Sequence, residues 1–252
     1  MLNKKTLRQI VHSNYVDLFG VILVLAICIY RDFHETIYFN GKIVFGIPFV
    51  ELYAYIVKGA FPIGLLSTLG AVVSLLAARM IVKQQNLGNL IGIFTTVNSG
   101  VIDYLFGNRS AIITYPLTFV IAIIATKKWH DGERVKKADA KYYLLIFSAF
   151  LVSYTLVFLG FYWFGTNITN PFFKHTVAII FGISLVGNIS TAFKYEQTFL
   201  TWSFYNLVQI IKNVIQGNIA NVVKYVFYII NAILTFFDWK INGDIKSKDI
   251  SE

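Results

Sequence analysis

The chain has 252 residues, of which 56% are hydrophobic and only 14% are charged, and its net charge at neutral pH is +9. Soluble proteins average about 25% charged residues, so this composition excludes a soluble domain and favours a protein that a lipid bilayer solvates. The positive charge does not indicate a nucleic-acid partner, because the basic residues lie in short connections between apolar runs and form no continuous face for phosphates.

Eight apolar segments have roughly the length of a membrane-spanning helix, about 20 residues. They lie at 15–30, 60–82, 88–106, 110–126, 142–165, 174–193, 197–215 and 219–238. A further run at 43–57 holds Pro48 and Glu51 and is too short for a comfortable span, so we interpret it as an interfacial or re-entrant piece. The sequence therefore predicts an all-α integral membrane protein with about eight transmembrane helices.

The predicted organisation is a single membrane domain that covers residues 1–252. The only long polar connection before the C-terminal tail is the 127–141 loop, which divides the chain into two apolar halves. The predicted parts are an N-terminal helix and interfacial segment at 15–58, a first repeat at 60–129, a linker helix at 142–165 and a second repeat at 174–240.

The distribution of basic residues predicts the orientation in the membrane. If both termini are cytoplasmic, fifteen of the 22 Lys and Arg residues, Arg79 and Lys194 among them, belong to the cytoplasmic side, and Lys224 lies inside a span. Because positive charge accumulates in cytoplasmic connections, we expect a multi-pass protein of the plasma (inner) membrane with both termini inside. The other side receives six basic residues, namely Arg31, Lys42, Lys58, Arg109, Lys174 and Lys212.

An internal repeat supports this division. Residues 83–129 align with 193–239 at an offset of 110. The alignment places Gly107-Asn108 on Gly217-Asn218, Thr96 on Asn206, Tyr115 on Tyr225 and Trp129 on Trp239. With one apolar segment between two blocks of three, the two halves would be parallel. Transporters built in this way bind their solute between the repeats, near the middle of the membrane.

Polar and aromatic side chains recur at helical spacing within the spans, and they are the candidate solute-binding residues. The candidates are Phe199, Trp202, Asn206 and Gln209 in one span, Tyr225 and Tyr228 in the next, and Thr95, Asn98 and Tyr115 in the first repeat. Such side chains can hold neighbouring helices together through hydrogen bonds. They can equally form a cavity in which aromatic rings stack on a solute and amides bind its polar groups. The sequence leaves both interpretations open.

Catalytic chemistry has little support in the sequence. The four histidines lie in tails, loops or span ends, and no hydrolase, protease or phosphate-binding motif is present. The single cysteine, Cys28, excludes disulfides and cysteine metal sites. Glu51 and Asp103 are isolated carboxylates, which we expect at an interface or a helix end rather than in proton coupling. We therefore expect no enzymatic activity, no cofactor and no metal.

The stretch from Lys194 to Asn206, KYEQTFLTWSFYN, resembles the signature of the nicotinamide riboside transporter (PnuC) family. In that family a Lys-Tyr pair precedes a Trp-x-x-Trp-x-x-x-Asn motif in the second repeat. Trp239 follows at the family's usual distance, and Gly92 and Trp129 occupy the corresponding positions of the first repeat. The resemblance extends from about residue 60 to residue 241.

The resemblance implies a SWEET-like core of seven helices in a 3+1+3 order with an extra N-terminal helix. It also implies a homotrimer in membrane lipid and facilitated diffusion of a small aromatic solute, drawn inward by a cytoplasmic kinase that need not contact the transporter. Trp202 and Asn206 are the ligand contacts that it implies.

Three departures from the family pattern bear on the substrate. Phe199 replaces the first Trp of the motif, Thr95 replaces a frequent Asn, and Tyr115 replaces the Gln of some members. Because a site built on hydrogen bonds discriminates strongly, the lost amides alter which solutes fit. We expect nicotinamide riboside or a deoxyribonucleoside, with thiamine or riboflavin as alternatives. A membrane scaffold or sensor that transports nothing is the alternative from another functional class.

Overall fold

The computed structural model describes residues 4–129, 135–166 and 170–242. Within these ranges the chain forms ten α-helices and one two-stranded sheet. The helices are α1 (Lys4–Val11), α2 (Asn14–Tyr30), α3 (Phe49–Val57), α4 (Ile63–Val82), α5 (Leu87–Leu105), α6 (Ala111–Lys128), α7 (Ala140–Phe164), α8 (Pro171–Ala192), α9 (Thr198–Gln216) and α10 (Ile219–Asn242), and the strands are β1 (Ile37–Phe39) and β2 (Lys42–Val44).

Each of the eight predicted spans coincides with a helix, namely α2 and α4 to α10. Of the helices in the described ranges, α4, α6, α7, α8 and α10 are long and apolar enough to cross a membrane. A sixth span results if α1 and α2, which meet at a bend of 45°, are counted as one. Helices α5 and α9 are as long as α6 but carry many polar side chains. The chain is thus a helical membrane-type protein, and the count of eight spans stays a prediction.

The segment between α2 and α4 contains a β-hairpin that the sequence analysis did not predict. Strands β1 and β2 are antiparallel, and Asn40 and Gly41 connect them with φ of 49° and 80°. Positive φ at both turn residues is the geometry of the tightest hairpin turn, for which Asn-Gly is the preferred pair. The following helix α3 has nine residues. At 1.5 Å per residue it is too short to span a bilayer, and its placement as an interfacial or re-entrant piece stays a prediction.

Helices α4 to α6 and α8 to α10 form two triplets, and α7 lies between them in the chain. Neighbouring helices pack within each triplet, while α6 packs on α8 and α4 packs on α10. The backbone repeats at the same offset of 110 residues as the sequence. Gln84 and Lys194 have φ of 59° and 53°, and Gly107 and Gly217 have φ of 94° and 69°. The turns before and after α5 thus recur around α9, which supports the internal repeat, whereas the parallel orientation of the halves stays a prediction.

Arg79 anchors the N-terminal helices to both triplets. Arg79 was counted among the basic residues of the cytoplasmic side, and that placement stays a prediction; the structure shows it in the last turn of α4, where it is only 2% exposed. Its guanidinium donates hydrogen bonds to the Asp17 carboxylate, to the Asn231 amide oxygen and to the backbone carbonyls of Val11 and Ser13. The hydropathy pattern could not reveal this, because the partners of Arg79 are distant in sequence.

Candidate functional site

A cavity of about 260 Å³ lies between the two triplets. Its wall includes residues from α4, α5, α6, α8, α9 and α10, so both predicted repeats contribute. Eight of the nine candidate residues line it, namely Phe199, Trp202, Asn206, Gln209, Tyr225, Tyr228, Thr95 and Tyr115. The structure therefore brings together side chains that are more than a hundred residues apart in sequence.

Asn98 is the candidate that the structure places elsewhere. Its amide nitrogen donates to the Leu66 carbonyl in α4 at 3.2 Å, and the side chain lies against Gly70. It lines a separate small cavity of about 20 Å³. Asn98 therefore connects α5 to α4, in the way expected of a polar side chain that joins two membrane helices.

Trp202 forms a fixed aromatic part of the cavity wall. Its indole nitrogen donates to the Thr191 hydroxyl at 3.0 Å, and its ring meets Tyr205 edge-to-face at 5.0 Å. The ring also lies directly against Gly187 in α8, where a Cβ atom would come within 2.9 Å of it. A held indole of this kind offers a flat surface on which a ligand ring can stack with little loss of side-chain freedom.

Phe199 is a buried part of the cavity wall. It meets Trp239 edge-to-face at 4.8 Å, and Trp239 in turn contacts Trp129 at 6.3 Å. Leu7 and Val11 of α1 belong to the same apolar cluster. The two tryptophans at equivalent repeat positions therefore pack together, and the N-terminal helix covers them.

Most polar candidates already have partners within the protein. Gln209 donates to the Tyr205 hydroxyl at 2.6 Å and accepts from the Asn213 amide at 3.1 Å. Tyr228 donates to Ser74 at 3.3 Å, and Thr95 donates to the backbone carbonyl of Gly92. These contacts fit the helix-joining interpretation.

Asn206 differs from these residues. It lines the cavity and is 2% exposed, yet its side-chain amide has no hydrogen bond to any residue within 4–129, 135–166 and 170–242. Because the amide faces the cavity, a ligand that supplies hydrogen-bond partners would be bound favourably.

The cavity also contains a buried ion pair between the triplets. Lys212 of α9 lies 2.7 Å from one carboxylate oxygen of Asp103 in α5. The other oxygen accepts hydrogen bonds from Asn108 at 3.0 Å and from Tyr115 at 3.2 Å. Lys212, which was counted on the outer side of the membrane, is 4% exposed inside a helix, and its side of the membrane stays a prediction. Asp103 does lie in the last turn of its helix, but buried and paired.

Lys224 is the third charged residue of the cavity wall. It is 4% exposed, and its ammonium group lies over the Tyr225 ring at 4.4 Å and farther from the Tyr228 ring, at 5.9 Å. No carboxylate pairs with it in the described part of the chain. Among the residues described, no group of three or more His, Cys, Asp or Glu side chains could hold a metal ion.

The sequence model of the nicotinamide mononucleotide transporter family matches residues 64–241, which include both triplets except for one residue at each end. The chain belongs to this family. Its fold is similar to the crystal structure of the vitamin B3 transporter PnuC, with a TM-score of 0.59, 14% sequence identity and coverage of 88% of this chain and 90% of that one. At this identity the likeness concerns the fold alone. No curated protein matches the chain significantly.

Membership in the nicotinamide mononucleotide transporter family confirms the predicted resemblance and supports a function as a membrane transporter. It does not identify the solute. The residues that sequence reasoning missed in this family member are Lys212 and Lys224, together with the pairing of Asp103. One signal was available, because the offset of 110 places Asp103 on Asn213, the neighbour of Lys212.

Proposed function

We propose that this family member mediates uptake of a small aromatic solute across the plasma (inner) membrane by facilitated diffusion. The observation that carries the proposal is the unpaired amide of Asn206 beside the fixed indole of Trp202, in a cavity lined by both triplets. An indole face and an amide are what a nucleoside or a ring-containing vitamin requires, because one stacks on the ring and the other binds polar substituents.

The dimensions of the cavity support a small solute. Pockets for drug-sized ligands span about 300–1,000 Å³, and this one, at about 260 Å³, lies just below that range. Nicotinamide riboside or a deoxyribonucleoside is the leading substrate class, followed by thiamine and riboflavin. Trp202 and Asn206 are the principal contacts in the proposal, and Phe199, Gln209, Tyr225, Tyr228, Thr95 and Tyr115 form the remaining wall.

The topology proposed with this function has eight spans, both termini in the cytoplasm and two parallel triplets in a SWEET-like 3+1+3 order. The repeated backbone turns at Gln84 and Lys194 and at Gly107 and Gly217 support equivalent triplets. Leu144, a representative of the outer face of α7, is 69% exposed, as expected of a side chain in contact with lipid.

Facilitated diffusion gives net uptake only while the concentration of free solute is lower inside the cell. A cytoplasmic kinase that phosphorylates the solute would keep this concentration low without contacting the transporter. The homotrimer rests on the family resemblance, and it stays a proposal.

A scaffold or sensor is the second candidate, because many of the polar side chains already join helices to one another. Thermal unfolding in detergent with a panel of nucleosides and vitamins separates the two. A ligand at 100 times its dissociation constant stabilises the folded state by about 2.7 kcal/mol. We expect one class of solute to raise the unfolding temperature of the wild type.

Asn206→Ala should abolish most of that rise. Asn98→Ala is the matched control, since it removes an equivalent amide that lies outside the cavity, and it should keep the rise. No shift with any solute would favour the scaffold.

A further inference from the structure

The charges of the cavity suggest which solutes it accepts. Resting on the proposed function, we propose that Lys224 is the specificity-determining residue: it donates to an electron-rich oxygen on the aromatic ring system of the solute, and it disfavours solutes with a net positive charge. The oxygen is the carbonyl at position 4 of a pyrimidine ring, as in uracil, or a carboxylate on the ring. The proposal follows from which charged groups of the cavity are already paired.

Both carboxylate oxygens of Asp103 already have hydrogen-bond partners within the protein. One of its oxygens binds Lys212 at 2.7 Å, and the other accepts from Asn108 and Tyr115. These donors come from α9, from the turn after α5 and from α6, so they hold the carboxylate from several directions. A cationic solute would have to displace these donors in order to pair with it.

The ammonium group of Lys224, in contrast, has no acceptor among the residues that the structure describes. It lines the cavity, is more than nine-tenths buried and has no hydrogen bond or ion pair with any residue that the structure describes. An ammonium group carries three N–H donors and no acceptor. Because Lys224 lines the cavity, a solute that supplies an acceptor oxygen is bound more tightly than one that does not.

The same geometry works against cations. Asp103, Lys212 and Lys224 are the only charged residues of the cavity wall among those described, and their formal charges sum to +1. Aromatic faces can bind a cationic ligand, but the Tyr225 ring already lies under the Lys224 ammonium group, with the Tyr228 ring farther away. The cavity therefore favours a neutral or anionic solute, which places oxo-substituted deoxyribonucleosides ahead of nicotinamide riboside and thiamine.

Two matched pairs of solutes test the proposal by isothermal titration calorimetry on the full chain in nanodiscs. Deoxyuridine and deoxycytidine share the carbonyl at ring position 2 and differ at position 4, where one has a carbonyl oxygen and the other an amino group. Nicotinic acid riboside and nicotinamide riboside differ in a carboxylate against a carboxamide. We expect the first member of each pair to bind about tenfold more tightly or better, since a hydrogen bond to a charged group is the strong kind.

Variants assign the preference to Lys224. Lys224→Met keeps the apolar length and should bring both affinity ratios to near one, whereas Lys224→Gln keeps a donor and should retain part of the deoxyuridine preference. Lys58→Met removes an exposed lysine outside the cavity and should behave as the wild type.

Equal binding within each pair by the wild type, or ratios that persist in Lys224→Met, would overturn the role of Lys224 and leave the proposed function standing. If Lys224→Met does not fold, the wild-type ratios and Lys224→Gln decide. Absence of binding by all four solutes and by thiamine and riboflavin would overturn the proposed function itself.

Discussion

The ion pair between Asp103 and Lys212 is a strong point of connection between the two triplets, and its loss should be costly. Asp103→Asn keeps the size of the side chain and can still accept from Asn108 or Tyr115, but it removes the charge opposite Lys212. The Lys212 side chain is 5% exposed and the Asp103 side chain is 10% exposed, so solvent cannot replace the missing partner.

The expected magnitude follows from this burial. Removal of one partner of a buried pair costs about 3–5 kcal/mol, whereas replacement of both by uncharged groups of similar volume is often close to neutral. Asp103→Asn should therefore destabilise the fold by about 3 kcal/mol or more. Adding Lys212→Met to it should restore much of the loss, which gives a coupling free energy of about 2 kcal/mol or more between the two positions.

A double-mutant cycle measures this coupling. The free energy of unfolding of the wild type, both single variants and the double variant is obtained in mixed detergent micelles from near-ultraviolet circular dichroism. Lys58→Met makes the same chemical change at an exposed lysine and should alter stability by less than about 0.5 kcal/mol. Single-variant effects that add within about 0.5 kcal/mol would refute the pairing as a source of stability.

Four further predictions follow from the remaining geometry. Trp202→Ala should weaken solute binding about tenfold or more while the protein stays monodisperse, because it removes the stacking surface; unchanged affinity in calorimetry would assign Trp202 to packing. Gly187→Ala puts a Cβ atom 2.9 Å from the Trp202 ring, so the ring must move and solute affinity should fall although no lining side chain is removed. Arg79→Met leaves buried acceptors unpaired and should destabilise the fold by about 3 kcal/mol, seen as earlier thermal unfolding and faster proteolysis of the N-terminal helices. Cysteine reporters at Gly132 and at Ser251, which lie outside the described residues, should resist labelling from outside intact cells, and labelling of either would overturn the proposed orientation.

The helices of the apolar runs could be predicted from sequence because the bilayer imposes a simple rule. Backbone groups in hydrocarbon must bond within their own segment, so each long apolar run has to be a helix. The predicted span at 197–215 and helix α9 at Thr198–Gln216 differ by one residue at either end. The hairpin at β1 and β2 was missed because three-residue strands are shorter than any window in which alternation can be read.

Helical periodicity in the sequence could predict which face of a helix holds the candidate side chains, but not their hydrogen-bond partners. Helical spacing alone places Phe199, Trp202, Asn206 and Gln209 on one side of α9, and the cavity lies on that side. Spacing says nothing about the partner of each group. That Gln209 is bound by Tyr205 while Asn206 is free depends on how neighbouring side chains fill the space, and no period in the sequence encodes it.

The two triplets have similar backbone turns but different charged residues. Recognition of an asymmetric solute requires such a difference. At the offset of 110, Asp103 corresponds to Asn213, Lys212 to Ile102 and Lys224 to Thr114. One triplet thus supplies the only carboxylate of the described cavity wall and the other supplies both ammonium groups. A symmetric cavity would bind a solute equally well in two orientations related by the repeat. If the solute is a nucleoside, as proposed, the unpaired ammonium group on one side alone would distinguish its oxygen-bearing ring from its sugar, and we expect a single bound orientation.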